Sequence, residues 1–321
     1  MPTDQVAPAT LRQPAAITPT IAYAGIGDEA GAGLRTQLDA LARLGWGGIE
    51  LRTVDGTWIA DLDDQAFTRL ADALAARGLT VAGVASRIGN WSRPITGDFD
   101  QDLDELDVLT HRCATLGTRY IRIMSYLNAG LDERDWRQRA IDRIRELAYR
   151  AEQAGLVLLH ENCTGWAAAN ADRMLDLLDT VASPALRLLF DTGNGIAYGY
   201  QAYDLLADIL PHVAHVHVKD AGGSAAHPVY TVPGAGQARV ADCLRLLLRN
   251  GYTGMWSLEP HLTLRPHAGD AAGQGRHEGF IAAGRALEQL VRNQLLPTCP
   301  PWTAIPGGLS AFSGLSGVNE V

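Results

Sequence analysis

The sequence has little cysteine, and what it has is scattered. Cys113, Cys163, Cys243 and Cys299 show no CxxC spacing, which speaks against a zinc knuckle and against a disulfide framework. They read as reduced thiols, the state kept in a cytoplasmic protein. Basic residues are also short. Lys and Arg number 27 against 36 Asp and Glu, a net charge of −9, and no Lys/Arg stripe is laid out to neutralise phosphates. A nucleic-acid partner is therefore not expected. No apolar run approaches the roughly 20 residues of a membrane span. The start, "MPTDQVAPATLRQPAAITPT", has no basic stretch followed by an apolar one, so no secretory leader and no membrane partner are expected.

What is present is alternation. Short apolar runs ("TIAYAGI", "GGIELR", "TVAGVAS", "RYIRIMSY", "LVLLHEN", "LRLLFDTGN", "VAHVHVKD", "GMWSLEPH") are rich in Val, Ile and Leu and bounded by Gly or polar residues, as buried strands are. Segments of helix length lie between them. In "AIDRIRELAYRAEQAGL", Ile141, Ile144, Leu147, Ala148 and Ala151 recur at three- and four-residue steps, the stripe of a helix packed on a sheet. Strands alternating with helices imply parallel pairing, and eight such units close a barrel. The expected fold is an α/β (β/α)8 TIM barrel over 19–296, with an N-terminal tail over 1–18 and a C-terminal tail over 297–321. Trp302 and Phe312 are candidates for docking that second tail onto the body.

Function in such a barrel sits at the C-terminal strand ends. The fifth run ends in His160-Glu161-Asn162 and the sixth in Asp191-Thr192-Gly193-Asn194. The seventh carries His215, His217 and Lys219 on one face, and the eighth ends at Glu259-Pro260-His261. Three carboxylates and an imidazole thus reach one rim. Burying like charges together is costly without compensation, and a divalent cation compensates. The expected ligands are Glu161, Asp191, His217 and Glu259. Their oxygen-rich set favours Mn²⁺, with Mg²⁺ or Co²⁺ close and Zn²⁺ or Fe²⁺ open. His215, deeper on the strand, is expected to hydrogen-bond inside the barrel. His160 should face away from Glu161. "HENCT" is not the HExxH of zinc proteases, because Thr164 stands at the second His position.

"HEN", "FDTGN", "HVHVKD", "PGAGQ" and "SLEPH", in this order, resemble the sugar isomerase/epimerase-like members of the xylose isomerase-like TIM-barrel superfamily, across roughly residues 20–293. The resemblance implies metal binding by the same quartet, with Glu161 and Glu259 also serving as catalytic acid and base. It implies a metal-dependent isomerase or epimerase acting on a small sugar, keto-sugar or polyol through an enediolate. The alternative on the same scaffold is a lyase, either an inosose-type dehydratase or an eliminative cleaver of 3-keto-glycosides. Relatives of this kind are often homo-oligomers. Two departures argue against a ketohexose 3-epimerase: Asn194 stands where such enzymes carry a substrate-binding His, and Gly223 lies near the place of their Arg.

The substrate is expected to be held by Glu50, Arg87, Trp166, Asn194, Lys219 and His261, with Trp91, Ser125, Tyr126 and His227 nearby. "GIGDEA", Gly25 to Ala30, matches a dinucleotide fingerprint in form only. Asp28 and Glu29 would oppose a pyrophosphate, and the barrel accounts for all eight units. Phosphodiester cleavage on a related barrel would need more ligands and a basic groove. A non-catalytic barrel would usually have lost a ligand, and here all four positions are filled.

Overall fold

The computed structural model describes residues 18–263 and 275–311. Eight parallel strands form the barrel wall: β1 (Thr20–Gly25), β2 (Gly48–Leu51), β3 (Thr80–Ala85), β4 (Tyr120–Ser125), β5 (Val157–Gly165), β6 (Leu186–Asp191), β7 (Val213–Val218) and β8 (Trp256–Leu258). Neighbours in sequence are neighbours in the sheet, and β8 returns to β1. The ring closes between β1 and β2 through a parallel bridge from Ile26 to Glu50. Each strand is followed by a helix: α1 (Leu34–Leu44), α2 (Asp64–Ala75), α3 (Asp100–Leu116), α4 (Glu133–Gln153), α5 (Ala171–Val181), α6 (Ala202–Ile209), α7 (Val240–Arg249) and α8 (Arg276–Leu290).

The helices form because their polar ends are satisfied and their apolar faces have a sheet to cover. Asp63, Asp132 and Asn170 each accept a hydrogen bond from the backbone N–H three residues on, capping α2, α4 and α5. On α4 the buried residues are Ala140, Ile141, Ile144, Leu147, Ala148 and Ala151, the stripe that the sequence displays. The main core lies in this layer between strands and helices. No helix among the described residues is long and apolar enough to cross a membrane. Cys113, Cys163, Cys243 and Cys299 are all buried and unpaired.

The segment after 297 does not trail off. Trp302–Ile305 and Gly308–Ala311 form an antiparallel hairpin whose second strand pairs with the start of β1, opposite the end where the strands finish. An apolar pair (Leu309 and Trp302) packs against the core, so this stretch is part of the body. Phe312 and residues 1–17 of the tail expected over 1–18 lie outside the described residues.

Candidate metal centre

Alternation along the strands carries charged side chains into the barrel mouth. On β7, His215 and His217 are buried, and Lys219 follows on the same inward face. Asp191 is in register with His217, which sets these two candidate ligands of β6 and β7 side by side. Glu161 comes from β5, and Glu259 from just past β8. One donor atom from each of Glu161, Asp191, His217 and Glu259 lies within 4.8 Å of the other three, and all four residues are buried.

The donor atoms are held and also left open. Asp191 Oδ1 accepts the N–H groups of Gly193 and Asn194 at 2.8 Å each, starting the short helix Asn194–Tyr198. Asn194 Nδ2 donates to Glu161 Oε1 at 3.1 Å. Asp191 Oδ2, His217 Nδ1 and Glu259 Oε2 are buried with no well-formed hydrogen bond among the described residues. The two carboxylate oxygens face the Lys219 ammonium and the edge of His217, and this buried crowding of oxygen and nitrogen donors at one point fits a divalent cation.

His217 is aimed by Glu50. Glu50 Oε1 lies 2.9 Å from His217 Nε2, and Oε2 lies 2.8 Å from His215 Nε2. A proton on Nε2 then leaves the Nδ1 lone pair for the centre, the arrangement by which carboxylates orient ligating histidines. Both Glu50 oxygens are thus engaged beneath the ligand, and Glu50 does not face the pocket as expected of a substrate contact.

Charges crowd this volume. Burial alone would raise the Glu161 carboxyl, but His217 and Arg122 hold it down to about 2. Burial likewise opposes the Glu259 carboxylate, yet Lys219, His261 and His217 keep it well below the usual range. For Asp191 burial prevails and the carboxyl is raised, helped by Glu259 and Glu161 against Lys219. Burial would strip the His217 proton, but Glu50 and the two ligand glutamates raise its affinity well above the ordinary imidazole value. In the metal-free protein His217 and Lys219 supply the countercharge that an ion would bring.

Lys219 is the only lysine in the 321 residues, and it is fully buried. Its Nζ lies 2.9 Å from Asp191 Oδ2, 2.8 Å from Glu259 Oε2 and 3.1 Å from Asn194 Oδ1. A Cβ at Gly193 would come within 2.8 Å of the Lys219 Cβ, so "FDTGN" needs glycine there to let the lysine pass. Asp220, next in the chain, does no chemistry at the centre. Its carboxylate accepts the N–H groups of Ala221, Gly234, Gly236 and Ala238, tying the "PGAGQ" loop to the strand end. A side chain at Gly236 would collide with that carboxylate.

Of the other expected contacts, Asn194, Lys219 and His261 lie at the quartet. His261 Nδ1 lies 3.0 Å from Glu29 Oε1, and its Nε2 is 3.9 Å from Glu259 Oε1. Trp91 lines the pocket. Arg87 turns away, bound to Asp61 and Glu105. Trp166 is buried between the guanidinium groups of Arg137 and Arg173, and its Nε1 donates to Glu133; it is packing rather than a sugar platform. Ser125 Oγ accepts the Ala167 N–H, and the Tyr126 hydroxyl donates to Asp102, so both are structural. His227 is exposed on the hairpin Asp220–Ser224/His227–Thr231.

Two arginines went unread in the sequence. Arg52, two residues past Glu50, donates to Asp28, Glu29 and Glu259. Asp28 and Glu29, from the false fingerprint, are thus its counterions. Arg122 lines the pocket from β4. The available signal was a basic residue inside or just past an apolar run, two residues after Glu50 for Arg52 and two before Met124 for Arg122.

The chain matches the xylose isomerase-like TIM barrel family over residues 38–278. An inosose dehydratase of Bacillus thuringiensis (strain Al Hakam) is 26% identical over 142 residues, 40% of this chain and 47% of that protein. The chain therefore spans about half the length of the curated relatives it matches. D-psicose 3-epimerase with D-tagatose, from Clostridium cellulolyticum H10, superposes with a TM-score of 0.64 at 16% identity, covering 86% of this chain and 99% of that one. A xylose isomerase-like TIM barrel protein from Mycobacterium smegmatis in complex with magnesium gives a TM-score of 0.60 at 19% identity, covering 85% and 98%. Family match and barrel topology agree, and the chain belongs to the xylose isomerase-like TIM barrel family.

Proposed function

We propose that the protein is a divalent-metal-dependent isomerase or epimerase of a small polyhydroxylated carbonyl compound, with Glu161, Asp191, His217 and Glu259 as ligands. The observation that carries this reading is the pair of glutamates. Glu161 and Glu259 enter from strands three places apart in the sheet and converge on one centre. When bound, the ion would polarise two vicinal substrate oxygens and lower the pKa of the C–H between them. One glutamate removes that proton and the other returns one to the neighbouring carbon or the opposite face. Asn194 holds Glu161 in place, Arg52 holds Glu259, and Glu50 orients His217. Mn²⁺ remains the expected ion on donor chemistry.

A second reading, dehydration, is favoured by the buried ammonium of Lys219 beside Glu259, which can protonate a departing hydroxyl. The partial similarity to an inosose dehydratase supports it. Chelator-stripped protein should gain thermal stability on adding Mn²⁺, since an ion bound only to the native state stabilises it. Incubation with ketoses and inososes in D₂O then separates the readings. Deuterium in a product of unchanged formula supports isomerisation, and loss of water supports the lyase. Absence of any divalent-ion binding, or exchange that persists in the E161Q/E259Q double variant, refutes both.

A further inference from the structure

Arg122 stands on the inner face of β4 and lines the pocket together with Trp91, Glu161, Lys219, Glu259 and His261. It is 3% exposed, and its Nε and Nη1 are buried with no hydrogen bond among the described residues. Its ion-pair contact is Glu161 Oε2, 3.5 Å from Nε, too long and poorly aimed for a hydrogen bond. The other buried arginines differ. Arg52 is fully engaged by three carboxylates, and Arg112 donates to the carbonyls of Ile59 and Leu62. A guanidinium keeps its charge under all ordinary conditions, so it cannot escape by losing a proton. Buried donors left empty inside a pocket mark the place of an acceptor that arrives with the ligand.

Glu161 does not fill that role. It is one of the four ligand candidates, and an ion at the quartet draws on the same carboxylate. Lys219 is in the same position, since its carboxylate partners, Asp191 and Glu259, are the other acidic ligands. A loaded centre therefore leaves Lys219 with Asn194 Oδ1 at 3.1 Å, and Arg122 with two unfilled donors beside the substrate space. Hydroxyl groups of a neutral polyol match them poorly, whereas a carboxylate matches in charge and in acceptor number.

We infer that the substrate is an anion, a small hydroxy- or keto-acid whose carboxylate docks on Arg122 beside the metal centre. This rests on the proposed function and narrows its substrate class.

The test is calorimetric binding to the Mn²⁺-loaded protein, using D-fructose against D-fructuronate and glycerol against D-glycerate. Wild type should bind the acid of each pair about 10- to 100-fold more tightly, the worth of a charged hydrogen-bonded contact. R122Q should erase that preference, and R122K, which keeps the charge, should recover part of it. Equal affinity for both members, equal weakening of both in R122Q, or tighter binding of D-fructose 6-phosphate than of the uronate would overturn the inference. Mn²⁺ affinity measured on the same samples keeps the two readings apart. Failure of the ion to bind while the Arg122-dependent preference persists removes the metal chemistry and leaves the anion site standing. Normal Mn²⁺ binding without the preference does the reverse.

Discussion

Arg52→Met is the sharpest probe of how this site is held together. The guanidinium is buried and donates to Asp28 at 3.1 Å, Glu29 at 2.7 Å and Glu259 at 2.7 Å. Methionine fills most of its volume and removes the charge, leaving three buried carboxylates with one partner fewer. Breaking a buried ion pair from one side costs about 3–5 kcal/mol. Neutralising one carboxyl gives a similar figure, since protonation at pH 7 from an ordinary value near 4.3 costs about 3.7 kcal/mol. Unfolding entropy of roughly 2.1 cal/mol/K per residue amounts to about 0.7 kcal/mol per degree here, so Tm should fall by about 4–8 °C. The sign with pH follows from the same carboxyl. Its native pKa is raised in the variant, so the native state binds the extra proton and the deficit shrinks on going from pH 7 to pH 5, by up to about 1.4 kcal/mol per unit. Scanning calorimetry of both proteins at pH 5, 6 and 7, without metal, measures this. A variant within a degree of wild type at every pH would mean that Arg52 does not carry these carboxylates, and the reasoning would fail.

Glu50→Gln should weaken metal binding about 10- to 100-fold while the fold persists, because the group that orients His217 loses its charge; titration with Mn²⁺ reads this, and unchanged affinity would count against the assigned tautomer. His160 is fully buried, with both ring nitrogens lacking a hydrogen bond among the described residues, and burial holds its pKa down to about 4 from 6.5. The unfolded chain takes up this proton first, so stability is lost as pH falls from 6.5 toward 4, by up to roughly 3 kcal/mol. His160→Leu should flatten that loss in urea titrations at pH 7.0 and 4.5, and parallel behaviour of the two proteins would refute it. Gly193→Ala should fold and bind metal yet lose about tenfold or more in turnover, because the added methyl displaces Lys219; unchanged kcat would show that the lysine position is not critical.

The barrel was legible because its signals are local and repeated. Each strand is a short apolar run, and each helix, like α4, shows its buried stripe in the spacing of Ile141, Ile144 and Leu147. The quartet could be read because all four residues sit at strand ends, where parallel topology alone brings them to one rim. The supporting groups could not be read that way. Whether Glu50 meets a substrate or a histidine depends on how far across the barrel it reaches, and it pairs with residues 165 and 167 positions away. Trp166 and Arg87 follow the right strands, but loop packing turns them toward Glu133 and toward Asp61. Arg52 and Arg122 were overlooked because a single basic residue in an apolar run resembles a surface charge until its face is known. The expected C-terminal tail failed for a related reason: pairing between residues 308–310 and 20–22 leaves no trace in local composition.

The solitary lysine gives the protein a built-in chemical clock. Within these 321 residues, amine-reactive reagents have one ε-amino group to find, and it is sealed behind the barrel mouth. Any acylation of that side chain in the native protein must therefore wait for the mouth to open, and its rate reports the opening equilibrium directly. Mass spectrometry of a single peptide follows the breathing of this end of the barrel without an engineered label, and slower labelling on adding an ion or a candidate substrate records how firmly each one closes it.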